Sequence, residues 1–198
     1  DASLIPEIVP TFSFQGASTA HAAKSTGLAA GRASNYRAGD QPNNALALNV
    51  LSPGEVAATG GTSGVVYGIV DQPIYDFTSR VNGFAHVNHS PKDPRIGILL
   101  CINGAGIQYS WLKQHMADSK LSYQEMEQMA ASVNAGSDGL RILPFGNGAE
   151  RMLENKNPGA RINNLQFNRH HKAHFFRAAL EGIHRPSGAR GQGRGNRS

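Results

Sequence analysis

Residues 60–64, Gly-Gly-Thr-Ser-Gly, are all that separates two β-rich runs, Glu55 to Thr59 and Val65 to Val70. So short a glycine loop predicts that the two runs pair as a hairpin. A strand-then-glycine pattern returns downstream, where Arg95 to Ile102 is apolar and β-rich and leads into Asn103-Gly104-Ala105-Gly106. A helix is expected next, with Ile107 and Trp111 four apart and Leu112 beside them. Ser122-x-x-Glu125 has capping-box form before Met126 and Met129, whose expected role is core packing. Leu140 to Phe145 reads as a strand entering Gly146-Asn147-Gly148. The strongest helix is Lys172 to Ile183, which places Ala173, Phe176, Leu180 and Ile183 on one face. Strands and helices alternate, so the class is α/β or α+β.

The rest is less patterned. Residues 1–35 carry one short expected helix, His21 to Thr26, stopped at Gly27. Tyr36 to Asp40 reads as a short strand ending in an acidic residue, and Pro42 opens a helix over Asn43 to Leu51. Ser52-Pro53-Gly54 is a turn, Val81 to Asn88 a strand, and Lys92-Asp93-Pro94 a turn. Met152 to Arg169 is polar, rich in asparagine and expected to be loop.

The net charge of +5 invites a nucleic-acid reading, but four of the 19 basic residues, Arg185, Arg190, Arg194 and Arg197, lie in the tail 184–198. The remaining 15 face 14 acidic residues, so the body is close to neutral. The tail is expected to be disordered or not native to the domain, since it could not form a core. Cys101, the one cysteine, excludes an internal disulfide and reads as a buried structural thiol. No apolar run approaches the roughly 18 residues of a membrane helix, and the first ten residues lack a secretory signal pattern. A cytoplasmic protein is expected. His170-His171-x-x-His174 lacks the glutamate of a His-Glu-x-x-His metal site and reads as a partly exposed helix start. His86 and His89 read as strand-edge residues, and no metal site is assigned.

The chemistry rests on Asp40, followed some twenty residues later by Gly60 to Gly64. A carboxylate at the carboxyl end of a strand can take a proton from a substrate hydroxyl. A glycine-threonine-serine loop offers N–H groups and hydroxyls to phosphate oxygens. Phosphoryl transfer from a nucleotide needs both.

Ala38-Gly39-Asp40-Gln41-Pro42-Asn43-Asn44-Ala45, then Ala58-Thr59-Gly60-Gly61-Thr62-Ser63-Gly64-Val65, resemble the opening of the carboxyl-terminal domain in FGGY carbohydrate kinases. Further resemblances follow in order: Phe84-Ala85-His86; Asn103-Gly104-Ala105-Gly106 with Trp111; Leu143-Pro144-Phe145 with Gly148-x-Glu150-Arg151; and Arg177 to Gly182. Together they cover about residues 6–183, and among family members the chain looks closest to bacterial xylulokinases. The resemblance implies part of an actin-like, ribonuclease-H-like α/β ATPase domain over 1–183. It implies that Asp40 is the catalytic base and a sugar contact, and that Gln41 stands where the family commonly has asparagine at a second sugar contact. It implies that Gly61, Thr62 and Ser63 face the ATP phosphates. Gly106 and Ser110 match nucleotide positions five and one before Trp111, with Gly104 competing for the first. Glu150-Arg151 departs from the family order and is expected to support the loop.

The implied reaction moves the ATP γ-phosphoryl group to a ketopentose hydroxyl, D-xylulose foremost, with Mg²⁺ carried in by ATP. Ribulose, gluconate, glycerol and fuculose stay open. The expected partners are sugar and ATP, not membrane or nucleic acid. A homodimer is open for the parent enzyme. The family's amino-terminal domain and its Gly-Gly-Gly-Ala adenosine motif have no counterpart in these residues, so the chain alone is expected to have little or no activity. Two other classes stay open: an actin-like interaction module without catalysis, and a nucleic-acid binder acting through its Arg/Gly tail.

Overall fold

Five α-helices and eight strands are assigned in the computed structural model, which describes residues 2–117 and 120–184. These residues divide between two units.

The first unit comprises Asp1–Ala57, Tyr67–Tyr75 and Gly83–Leu99. Its first two strands, β1 (Gly16–Ala17) and β2 (Ala33–Ser34), pair antiparallel with Gly16 opposite Ser34. Between them lies α1 (Ala20–Thr26), capped by the Thr19 side chain accepting from the Ala22 N–H. It ends at Gly27, whose φ of 72° is the left-handed conformation glycine adopts without penalty.

The next element departs from expectation. Tyr36 to Asp40 is not a strand; Asp40 is the first residue of α2 (Asp40–Ala47), with Gly39 as its extended N-cap. Proline has no N–H and a fixed φ, so Pro42 fits inside this first turn and does not have to open it. Ala45 on α2 is fully buried with Ala57, Tyr67 and Ile69, and Val50 and Leu99 pack around them.

The strands β3 (Val56–Gly60), β4 (Gly64–Val70), β5 (Asn82–Ala85) and β6 (Ile96–Ile102) form a sheet in the order β3-β4-β6-β5, and each gives residues to both units. The expected hairpin is therefore present as the neighbours β3 and β4. On β4, Val65, Tyr67 and Ile69 are buried while Val66 is exposed, the period-two pattern of a strand with one covered face.

His86 falls just beyond β5 and is no strand-edge residue: it is 1% exposed, with Nδ1 3.1 Å from the Tyr67 hydroxyl. Burial pushes the Tyr67 phenol up to about 12. It also holds His86 below its ordinary value, against a backbone hydrogen bond at Val50. His89 Nδ1 accepts from the Arg95 N–H at 3.2 Å. Cys101 is half-buried, not buried, because β6 is only partly covered along most of its length.

The second unit comprises Ala58–Val66, Asp76–Asn82 and the described residues from Leu100 on. It holds α3 (Ala105–His115), α4 (Tyr123–Ala131), β7 (Arg141–Leu143), β8 (Arg161–Asn163) and α5 (Lys172–His184). The capping box is formed: Ser122 Oγ accepts from the Glu125 N–H, and Glu125 accepts from the Ser122 N–H at 2.7 Å. Met126 is fully buried in a core with Tyr109, Leu112, Leu140, Ile142 and Phe176, against which Met129 packs.

The 152–169 segment is not loop throughout. It contains the end of a 3-10 turn, Arg151–Leu153, and β8, which pairs antiparallel to β7 with Ile162 opposite Ile142. All three β8 residues are exposed, so the strand carries no apolar alternation to read.

The partly exposed helix start expected is found, with His171 and Lys172 exposed, but His170 and His174 are buried. His174 Nε2 lies 3.2 Å from Asp138 Oδ2, and His170 Nε2 lies 3.3 Å from the Asp138 carbonyl oxygen. Arg177 and the Gly136 N–H both donate to Glu181 Oε1. Burial pushes the Glu181 carboxyl up, but these donors outweigh it and hold it below its ordinary value. Apart from His184, the last residue of α5, the Arg/Gly tail lies outside the described residues. No described helix is long and apolar enough to cross a membrane.

Candidate functional site

The residues expected to meet ATP come together in the second unit. Loop 61–63 is drawn in by the Gly61 N–H donating to the Ser63 carbonyl at 3.0 Å. The Ile107 N–H, in the first turn of α3, donates to the Thr62 carbonyl at 3.1 Å. Gly106 is what allows this approach. A β-carbon there would lie 2.8 Å from the Gly61 carbonyl carbon, closer still to its oxygen, and 3.4 Å from the Thr62 nitrogen. Gly104, the competing position, serves a different contact: its β-carbon would strike the carbonyl of Pro144. Of the two glycines, it is Gly106 that seats the loop.

Ser110 lies one turn beyond Gly106 on α3. It is half-buried and its Oγ accepts from Gln114 Nε2 at 3.3 Å. Gly61 and Thr62 are exposed, Ser63 half-buried. The N-cap of α3, Gly104, makes no side-chain capping bond. Uncapped N–H groups and the positive end of the peptide dipole at a helix start suit an anion. The exposed loop and the first turn of α3 thus form one backbone-to-backbone unit at a helix start.

Glu150 holds this arrangement from behind. Its carboxylate is fully buried and both oxygens accept from the Asn103 N–H at 3.1 Å. Asn147 Nδ2 donates to the Asn103 carbonyl at 3.0 Å, and Arg151 donates to Asn82 Oδ1 at 2.5 Å. The residue before Gly104 is therefore clamped through both backbone groups. The Ile107 and Asn147 contacts were not foreseen. The first involves backbone alone and left no residue-type signal; Asn147, in its short glycine loop, offered only a turn signal.

Asp40 and Gln41 belong to the first unit. Asp40 is exposed, at the start of α2, and its Oδ1 accepts from the Gln41 N–H at 2.8 Å. An acidic side chain in a helix's first turn meets the favourable end of its dipole. Gln41 is half-buried, and Pro42 and Ala45 are buried beneath it. Tyr36 steadies the turn by donating to Asn43 Oδ1 at 2.7 Å. The carboxylate's second oxygen has no hydrogen bond among the described residues, so it can accept a proton or a hydroxyl. Among the described residues, no group of three His, Cys, Asp or Glu side chains is placed to hold a metal ion.

No family model matches the chain. It is 30% identical over 182 residues to the xylulose kinase of Staphylococcus epidermidis, covering 91% of this chain and 35% of that protein. It is 31% identical over 147 residues to the gluconokinase of Bacillus subtilis, covering 70% of this chain and 28% of that one. Superposed on the crystal structure of xylulose kinase from Rhodospirillum rubrum, it gives a TM-score of 0.73 at 27% identity, covering 91% of this chain and 35% of that one. The chain thus spans about a third of the length of the curated relatives it matches. The mixed helices and sheets are those of an α/β actin-like ATPase domain, the fold class expected. In sequence and in fold, the chain is a relative of the FGGY carbohydrate kinases.

Proposed function

We propose that this chain supplies the phosphate-binding loop and the catalytic base of a sugar kinase. In that reaction a sugar hydroxyl attacks the γ-phosphorus of ATP. Its proton passes to the Asp40 carboxylate and the bond to the ADP oxygen breaks. Loop 61–63, seated against Gly106, presents N–H groups and hydroxyls to the transferring group, and Ser110 lies a turn along the same helix toward the nucleotide. Gln41 contacts the sugar beside Asp40. Mg²⁺ enters with ATP, bound through its phosphate oxygens, and supplies charge neutralisation there.

The observation that carries the reading is the seating of loop 61–63 on the first turn of α3. It fixes the loop backbone at the positions where the chain resembles nucleotide-binding ones. D-xylulose is the substrate we favour, because similarity to a xylulose kinase runs over 91% of the chain. Gluconate is the second reading, from the 31% identity to a gluconokinase over a shorter span.

Two measurements test it. Calorimetry on the chain should detect Mg·ATP, with affinity lost in a Thr62→Ala, Ser63→Ala double variant. A coupled ADP-release assay should compare D-xylulose with gluconate, on the chain and on the longest protein containing it. We expect little turnover from the chain alone, and in the longer protein a loss of orders of magnitude in kcat for Asp40→Ala with ATP affinity kept. Unchanged turnover in that variant would remove Asp40 from the mechanism.

A further inference from the structure

Asparagine is followed by glycine three times in the chain, at Asn82, Asn103 and Asn147. With no side chain on the second residue, its nitrogen can swing onto the asparagine side-chain carbonyl and close a five-membered ring. That closure needs a backbone free to turn, a glycine N–H without a partner, and access for water.

The fold withholds these from two of the three sites. Asn82 and Gly83 open β5, which is bonded to β6 in the sheet, and Asn82 Oδ1 accepts from Arg151. The Asn103 N–H is held by the Glu150 carboxylate, and Asn103 Nδ2 donates to the Ala149 carbonyl at 2.8 Å. Gly104 is buried, and a β-carbon there would overlap the Pro144 carbonyl, so this backbone has no room to turn.

Asn147 is placed otherwise. It and Gly148 are both exposed. Gly148 has a φ of 87°, and a β-carbon built on it would meet nothing within 4 Å. Its N–H donates to no group among the described residues. A single contact restrains the Asn147 side chain, the donation from Nδ2 to the Asn103 carbonyl at 3.0 Å. That contact also gives the site a consequence, because Asn103 directly precedes Gly104, the N-cap of α3. A carboxylate in place of the amide has no proton to donate and sets a negative charge against a carbonyl oxygen.

We propose that Asn147-Gly148 is a self-modification site, at which Asn147 is converted to an acid and the start of α3 loses its tie to this loop. The Gly148 nitrogen, giving up its proton, bonds to Asn147 Cγ; the Cγ–Nδ2 bond breaks and ammonia leaves. Water then opens the ring at either carbonyl, giving aspartate, or isoaspartate with the main chain running through the side-chain carbon. The proposal does not rest on the phosphoryl-transfer reading.

Peptide mapping of the 198-residue chain after warm storage in mildly alkaline buffer tests it. Trypsin separates the three sites into Val81–Lys92, Ile96–Lys113 and Ile142–Arg151. Ile142–Arg151 should gain the mass of an amide-to-acid exchange about tenfold faster than the other two, whose ring closure must first break more hydrogen bonds. In urea, with the fold gone, the three should convert at comparable rates. Asn147→Gln, whose longer side chain cannot close the five-membered ring, should leave that peptide unmodified. Asn147→Asp makes one product directly and should move the backbone amide signals of Asn103 to Ala105 in NMR spectra. No conversion at Asn147, conversion as fast at Asn82 or Asn103, or the same rank order in urea would overturn the site. Unmoved amides in Asn147→Asp would overturn its effect on α3.

Discussion

Replacing Gly106 with alanine sets two effects of opposite sign against each other. Gly106 is helical and its φ is ordinary, so with free space around it alanine would stabilise α3 by about 1 kcal/mol. Space is what it lacks. The new β-carbon would lie 2.8 Å from the Gly61 carbonyl carbon, where a relaxed contact needs roughly 3.5 Å. The Gly61 carbonyl oxygen is nearer still, so the loop must retreat by roughly an ångström or more, which overpacking data put at about 1–3 kcal/mol. The retreat also stretches the 3.1 Å bond from Ile107 to Thr62, a further loss of about 1 kcal/mol. Net destabilisation should be about 1–3 kcal/mol after the helix gain is subtracted. Trp111, the only tryptophan and half-exposed on the same helix, reports urea unfolding by its fluorescence. Calorimetry with Mg·ATP should show affinity falling about tenfold or more as the donors lose their spacing. A variant as stable as the parent, or more stable, would refute the seating of the loop on Gly106.

Other expectations follow from individual contacts. Ser122→Ala removes the side-chain half of the capping box and should cost about 1 kcal/mol in urea unfolding. Phe176→Ala empties a fully buried position and should cost about 3–5 kcal/mol by the same measure. Folding lowers the pKa of Glu181, so its contribution is present above the unfolded carboxylate value and fades as pH falls through the folded one. Glu181→Gln should flatten the loss of stability as pH falls below about 4.5. His86 is a base held down by burial, so its unfolded form binds more protons in mild acid. Stability should decline below about pH 6.5, less steeply in His86→Gln.

What the sequence disclosed follows from where the physics is local. The 60–64 turn, the Ser122 cap and the face of α5 are each written in residues a few positions apart, and each is found as expected. The start of α2 was misplaced because Pro42 is admissible at several first-turn positions, and only the extended Gly39 fixes which. β8 escaped because an exposed ribbon strand buries nothing. The burial of His86, His170 and His174 depends on Tyr67 and Asp138, 19 and more than 30 residues away in sequence, and no spacing rule reaches that far. For the nucleotide positions, residue types pointed to both Gly104 and Gly106, and geometry alone separates their contacts.

Glu181 also bears on the order in which the chain assembles. Its carboxylate reaches back across 45 residues to the Gly136 N–H and across 44 to the Ser137 hydroxyl. Closing so long a loop carries an entropic cost that the bonds repay only once α5 has docked. Such contacts tend to be absent from the rate-limiting barrier and present only in the finished state. Glu181→Gln should then leave the refolding rate nearly unchanged and hasten unfolding, so that this carboxylate governs how long the folded unit persists more than how fast it forms.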